Sequence, residues 1–210
     1  MAKEKQVKKK DWTGNTRSVF SVMGSSSHSE TDRQRNDFYA TDPLAIDKLR
    51  EVYAIPQYVW ECACGAGHLS GRLLETGYNV LSTDLIDHGY GHVGIDFLKE
   101  KHLPEFLHGE DCCVLTNPPF KYATEFVEHA LKLLPEGQPA IFLLKTIALE
   151  GKGRYERLYR NGYLHAVYQF TERLMCAKNG DFDSLHGSAV SYAWFVFRKE
   201  RCEAPVIGWI

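Results

Sequence analysis

The chain has 210 residues, 44% hydrophobic and 25% charged, enough for one good core and too few for two full domains. Twenty-five Lys and Arg against 27 Asp and Glu give a formal net charge of −2, which excludes nucleic-acid binding by bulk positive charge alone. No run reaches the roughly 18 consecutive apolar residues of a membrane helix, and no apolar stretch of the kind a secretory signal needs follows the Lys-rich N-terminus.

The charge is uneven. Residues 1–35 hold eight Lys and Arg against four acids, a net of +4, so the remainder carries −6. With Gly24-Ser25-Ser26-Ser27 inside it, this stretch reads as a flexible basic arm ahead of a single domain over 36–210. Such an arm is either a solubilising tail or a segment that follows a phosphate backbone, whose binding weakens steeply as salt rises.

Past the arm, helical and strand patterns alternate. Leu44, Ile46, Leu49, Val52 and Tyr53 predict a helix over 43–53, with Asp42 as N-cap and Pro43 at the first helical position. Tyr58-Val59-Trp60 predicts a short strand that runs into Glu61-Cys62-Ala63-Cys64-Gly65-Ala66-Gly67. A helix carrying Leu69, Leu73 and Leu74 closes at Gly77, and the next strand, 79–83, ends at Asp84. The continuous apolar run 112–116 is too short for a helix and predicts a buried parallel strand. A helix over 122–134 sets Tyr122, Phe126, Ala130 and Leu133 on one face, with Pro135 past its end. Strands at 140–145, 164–170 and 192–198 and a helix near 153–161 complete the pattern. The alternation implies an α/β fold, a parallel sheet covered by helices on both faces. Cys62, Cys64, Cys112 and Cys113 sit in apolar strand-like runs and read as buried free thiols. Cys-x-Cys without a second ligand pair at zinc spacing gives no reason to expect a metal.

Two turns carry the chemistry. In the first, Gly65 and Gly67 let the backbone turn sharply and approach a ligand closely. A dinucleotide fingerprint would have a third glycine where Ser70 stands, which argues against a pyrophosphate cradle. The turn alone is consistent with a tight turn and nothing more. Asp84, at the end of the next strand, is placed to accept hydrogen bonds from ribose hydroxyls. Asp96-Phe97 in the following connection offers an acid for an adenine amine and a ring to cover the purine. Together these contacts suggest a nucleoside cofactor without a pyrophosphate. The second turn, Asn117-Pro118-Pro119-Phe120, follows the strand 112–116 directly. Two prolines make it rigid and supply no N–H. The Asn side-chain oxygen and a proline carbonyl then form two acceptors for one NH2 group, with an aromatic just beyond.

These residues resemble the S-adenosylmethionine-dependent amino-methyltransferases that carry an Asn-Pro-Pro-Phe/Tyr motif, in particular the small phage- and mobile-element-type DNA adenine-N6 methyltransferases. The resemblance spans 36–198. It implies a Rossmann-like class I methyltransferase fold with a mostly parallel seven-stranded sheet and one antiparallel strand, the latter at 189–197. It implies S-adenosylmethionine as cofactor, held by Tyr39, Thr41, Pro43, Glu61, Ala63, Gly65, Gly67, Asp84, Leu85, Asp96, Phe97 and Asn117. Asn117, Pro118, Pro119 and Phe120 would be catalytic, with adenine N6 in DNA as the acceptor. The same four-residue motif is shared with ribosomal-RNA and protein-glutamine methyltransferases, so RNA and glutamine amide stand as alternatives. The family's separate recognition domain has no counterpart in the few residues after 198, so site recognition is expected from loops, the arm or a second subunit. The resemblance also implies the cytoplasm of a bacterium or a phage-infected host. Outside the motifs, Lys145 ends a strand at the ligand edge, His68 opens a helix, and the connection 173–188 is long enough to contact a target strand.

Overall fold

The structure, a computed structural model, describes residues 39–178 and 190–210. The basic stretch 1–35 and most of the connection 173–188 lie outside the described residues.

Among the described residues, ten strands and four α-helices follow in chain order: β1 (Tyr39–Thr41), α1 (Leu44–Val52), β2 (Tyr58–Glu61), α2 (His68–Glu75), β3 (Asn79–Asp84), β4 (His92–Val93), β5 (Cys112–Thr116), α3 (Ala123–Leu133), β6 (Ala140–Lys145), α4 (Lys152–Arg154), β7 (Leu164–Gln169), β8 (Cys176–Lys178), β9 (Tyr192–Phe197) and β10 (Val206–Trp209). Eight strands form one sheet in the order β10-β7-β9-β6-β5-β2-β3-β4, and β1 pairs with β8 in a separate two-stranded ribbon. Within the sheet only β9 runs antiparallel to its neighbours, β6 and β7.

The expected antiparallel strand is therefore present, but the sheet has eight strands rather than seven. Beyond the six strands placed from the sequence, the sheet holds two short edge strands, β4 and β10. β10 pairs with β7 alone and leaves Val206, Ile207 and Trp209 exposed, so burial imposes no pattern on its sequence. The helix expected near 153–161 begins at α4 and continues as a π-helical segment, Tyr155–Tyr159.

Burial explains the central strands. Every residue of β5 and of β9 is buried, as expected for strands with neighbours on both edges and helices over both faces. Alternate residues feed two cores. Cys112 and Val114 join Trp60, Phe142 and Phe195 beneath α3, whose buried stripe is Phe126, Val127, Ala130 and Leu131. Cys113 and Leu115 join Val59, Ile141 and Trp194 beneath α1 and α2. α1 buries Ala45, Ile46 and Leu49, and α2 buries Leu69 and Leu73. Cys62, Cys64, Cys112 and Cys113 are free buried thiols, as expected. No helix among the described residues is long and apolar enough to cross a membrane.

Candidate functional site

β2 is hydrogen-bonded to β3 on one side and β5 on the other. The chain leaves β2 toward β3 and later returns to β5, so the strand order reverses beside β2. In open α/β sheets the crevice at the carboxyl ends of such a pair is the usual ligand site. The glycine turn leaves the carboxyl end of β2, and Asn117-Pro118-Pro119-Phe120 leaves that of β5. The two turns touch: Thr116 Oγ1 donates to the Ala63 carbonyl at 3.4 Å. The fold therefore brings together the two motifs that the sequence had 50 residues apart.

The glycine turn is held from below. Gly65 and Gly67 have φ of 54° and 80°, the left-handed region that glycine enters without steric cost. A Cβ at Gly67 would run into the Tyr90 ring. The Gly65 N–H donates to Asp84 Oδ2 at 2.8 Å, and Asp84 Oδ1 accepts from the Ile86 N–H at 2.9 Å. Asp84, expected at the ribose, thus also ties the glycine turn to the end of β3. Glu61 is 2% exposed. Its carboxylate accepts from the Ser70 hydroxyl, and Ser70 Oγ lies 2.6 Å from Ser82 Oγ. Burial pushes the Glu61 carboxyl up to about 8 against those hydrogen bonds, so it is protonated at neutral pH. Burial likewise pushes the Cys64 thiol up to about 12 and Cys62 well above its ordinary value. Neither is a thiolate near neutral pH. His68 opens α2 half-buried, and burial lowers its pKa.

Beyond β3, Leu85 carries a side chain 57% exposed. Asp96 caps a short 3-10 turn, accepting from the Leu98 N–H at 3.2 Å and pairing with Lys99 at 3.0 Å. The aromatic expected to cover a purine is elsewhere. Phe97 is 2% exposed and packs against Trp60 and Phe126, with ring centroids 5.1 and 5.0 Å away. Its apolar surface completes the core beneath α3 rather than a crevice wall. A cavity of about 530 Å³ lined by Trp60, Leu81, Thr83, His92, Ile95 and residues 99–104 contains none of the predicted site residues.

At the second turn, the Asn117 Nδ2–H donates to Thr41 Oγ1 at 2.9 Å. Asn117 Oδ1 is buried and has no partner, the one such side-chain oxygen or nitrogen among the described residues. Buried acceptors are rarely left unsatisfied, and a specific exception points to a ligand or a functional role. Pro118 is buried, and the Pro119 carbonyl accepts from the Tyr122 N–H at 2.9 Å. Phe120 lies 6.0 Å from the Tyr192 ring, and the Lys145 ammonium stands 3.9 Å over its centroid. Thr41 lies in β1, and Pro43 follows at the start of α1, beside the Asp42 carboxylate that caps the Leu44 N–H at 2.9 Å. Tyr39 begins the same strand.

The sequence did not foretell three contacts: Thr41 on Asn117, Tyr90 on Gly67, and Ser70, itself bonded to Ser82, on Glu61. Only Ser70 left a signal, a small hydroxyl where a dinucleotide fingerprint would have glycine.

A scan against protein-family models and a search of curated proteins find no match for this sequence. Solved structures do match. A protein of Listeria monocytogenes assigned as a class I S-adenosylmethionine-dependent methyltransferase aligns with a TM-score of 0.53 and 11% identity, over 92% of this chain and 71% of that one. A modification subunit assigned to a type I restriction enzyme of Vibrio vulnificus YJ016 gives 0.55 and 15%, over 93% of this chain and 49% of that one. A protein of Lactococcus lactis assigned as a hemolysin gives 0.52 and 13%, over 78% and 91%. The chain thus spans about half the restriction subunit's length. The fold is the Rossmann-like class I methyltransferase fold, with the antiparallel strand inserted beside β6. That one fold serves such differently named proteins is the reason to argue function from the site.

Proposed function

We propose that this protein is an S-adenosylmethionine-dependent methyltransferase acting on the exocyclic N6 amine of adenine in DNA. The observation that carries the reading is the buried, unpartnered Asn117 Oδ1 on a turn hydrogen-bonded through Thr116 to the glycine turn.

The crevice fits the cofactor. Gly65 and Gly67 turn the chain sharply at the carboxyl end of β2, Asp84 and Asp96 offer carboxylates to hydroxyl and amine donors, and Leu85 offers bare aliphatic surface to a purine. We assign Glu61, Ala63, Tyr39 and Pro43 to the same site. Bound S-adenosylmethionine would supply a methyl group already activated by its sulfonium. What remains for the protein is orientation and dipole placement. An adenine amine is a poor nucleophile because its lone pair is delocalised into the ring. Asn117 Oδ1 and the Pro118 carbonyl would each accept one amine hydrogen, which favours a pyramidal nitrogen and localises the lone pair. Pro119 keeps the turn rigid, and Phe120 supplies the aromatic wall for an extruded base, a contact of roughly 1–3 kcal/mol. Asn117 is neutral and takes no proton, so the proton the amine loses on methylation goes to water.

The rim of the crevice supports a nucleic-acid substrate. Lys121 and Tyr122 follow the second turn, and Ile147, Leu149, Lys152 and Tyr155 follow β6, all exposed. Cations interleaved with exposed aromatic and aliphatic side chains suit a strand with a charged backbone and stackable bases. The restriction modification subunit among the structural neighbours agrees with this choice.

Incubation with methyl-labelled S-adenosylmethionine and pools of DNA, RNA and protein tests the reading. Label is expected in DNA as N6-methyladenine. Label in RNA alone or in protein glutamine alone would replace it with that alternative. Asn117→Ala should lower the transfer rate at least about a hundredfold, the scale of losing one preorganised polar group, with cofactor affinity within about threefold of the parent. Transfer at the parental rate would remove Asn117 from the chemistry.

A further inference from the structure

An Asn side chain has two ends that differ only in chemistry, an acceptor and a double donor. The reading above works only if the oxygen faces the crevice, and nothing in the Asn-Pro-Pro-Phe motif itself decides which end does. A residue 76 positions earlier in the chain does. Thr41 is 3% exposed, and its Oγ1 accepts from Asn117 Nδ2 at 2.9 Å. As the acceptor of that hydrogen bond, Thr41 Oγ1 turns its lone pairs to Asn117, and lone pairs select the NH2 end of the amide. Asn117 Oδ1 is then turned to the crevice, where it is the unpartnered atom.

The backbone holds this chain of contacts in register. Thr41 and Cys176 are directly opposite in the β1–β8 ribbon, and the Asp42 N–H donates to the Met175 carbonyl at 3.1 Å just beyond the pair. The ribbon is separate from the main sheet, so its pairing serves the site rather than the sheet's ladder.

We infer that Thr41 is a positioning residue that sets the orientation of the Asn117 amide. This inference rests on the proposed role of Asn117, and it replaces the direct cofactor contact that the resemblance implied for Thr41.

The experiment is Thr41→Val against Thr41→Ser. Valine keeps the shape and removes the acceptor, whereas serine keeps the hydroxyl. Thr41→Val should lower kcat about tenfold or more, while KM for DNA and Kd for S-adenosylmethionine change less than about twofold. Thr41→Ser should restore kcat to within about threefold of the parent. Parental kcat in Thr41→Val would overturn the inference. An equal loss in kcat and in cofactor affinity would also overturn it, returning Thr41 to the cofactor. A readout independent of activity uses the unaltered full-length protein. In its NMR spectrum the Asn117 carboxamide protons should show a cross-peak to the Thr41 side chain and slow exchange with solvent. Their absence would sink the assignment even if Thr41→Val failed to fold. If the cross-peak is present but no pool of DNA, RNA or protein is methylated, the orientation stands and the methyltransferase reading falls.

Discussion

Asn117 is ordered at one end and open at the other, and its open oxygen is what a substrate amine would need. The aromatic beside it is braced rather than idle. With the Lys145 ammonium 3.9 Å above the Phe120 centroid, a cation–π contact of about 0.5–2 kcal/mol holds that ring. Lys145→Met should therefore raise KM for DNA several-fold by loosening the wall of the base pocket, while leaving the slope of binding against salt unchanged. A slope smaller by about one would instead mean that Lys145 contacts a phosphate. Glu61 makes a prediction about pH. Its folded-state pKa, about 8, lies above its ordinary value of 4.5 because burial penalises the charged form. The folded protein thus binds this proton more tightly than the unfolded chain. The stability this contributes is complete below about pH 4.5 and is lost as pH rises toward about 8. Glu61→Gln resembles the protonated form and lacks the titration. In urea unfolding, its stability relative to the parent should rise by about 1 kcal/mol per pH unit across that window. A difference independent of pH would show that the carboxyl does not titrate there.

At the level of elements, the glycine turn depends on the connection after β3. Tyr90 lies over Gly67 so closely that a methyl group there would overlap its ring, and φ at Gly67 is 80°. Gly67→Ala should cost about 1–3 kcal/mol of stability from the left-handed backbone and the displaced ring. It should also weaken cofactor binding. Gly77, with φ of 93° and nothing within 4 Å of its added Cβ, is the control: Gly77→Ala should lose stability from backbone strain alone and keep cofactor affinity. Equal affinities in the two variants would detach the Tyr90 contact from the site. The ribbon of β1 and β8 is the element that pattern reading does not reach. A three-residue strand is too short for alternation to register, and its partner lies more than a hundred residues away.

For the whole molecule, the charge division read from the sequence gives a solution test. Residues 1–35 carry a net +4, and we propose that they follow a phosphate backbone. Removing them should flatten the dependence of DNA affinity on log salt by up to about the number of phosphates they neutralise. An unchanged slope would leave them as a solubilising tail. A net charge of −2 is compatible with the nucleic-acid substrate we propose, because the cations need only line one rim and one segment.

The buried middle of the fold was legible without coordinates. Continuous apolar runs such as 112–116 and 140–145 permit only a strand with neighbours on both edges, and helical stripes such as Phe126 and Ala130 permit only a helix packed on a sheet. The two chemical turns were legible because a glycine pair admits backbone that other residues disfavour and a proline pair fixes φ. Strand order, edge strands and through-space partners were not, because they depend on which surfaces meet. Phe97 illustrates the difference, since an aromatic after an acid reads the same whether its ring lines a crevice or, as here, fills the core. Thr41 illustrates it again: its hydroxyl reaches Asn117 because a ribbon outside the main sheet brings them together, and spacing along the chain holds no trace of that distance.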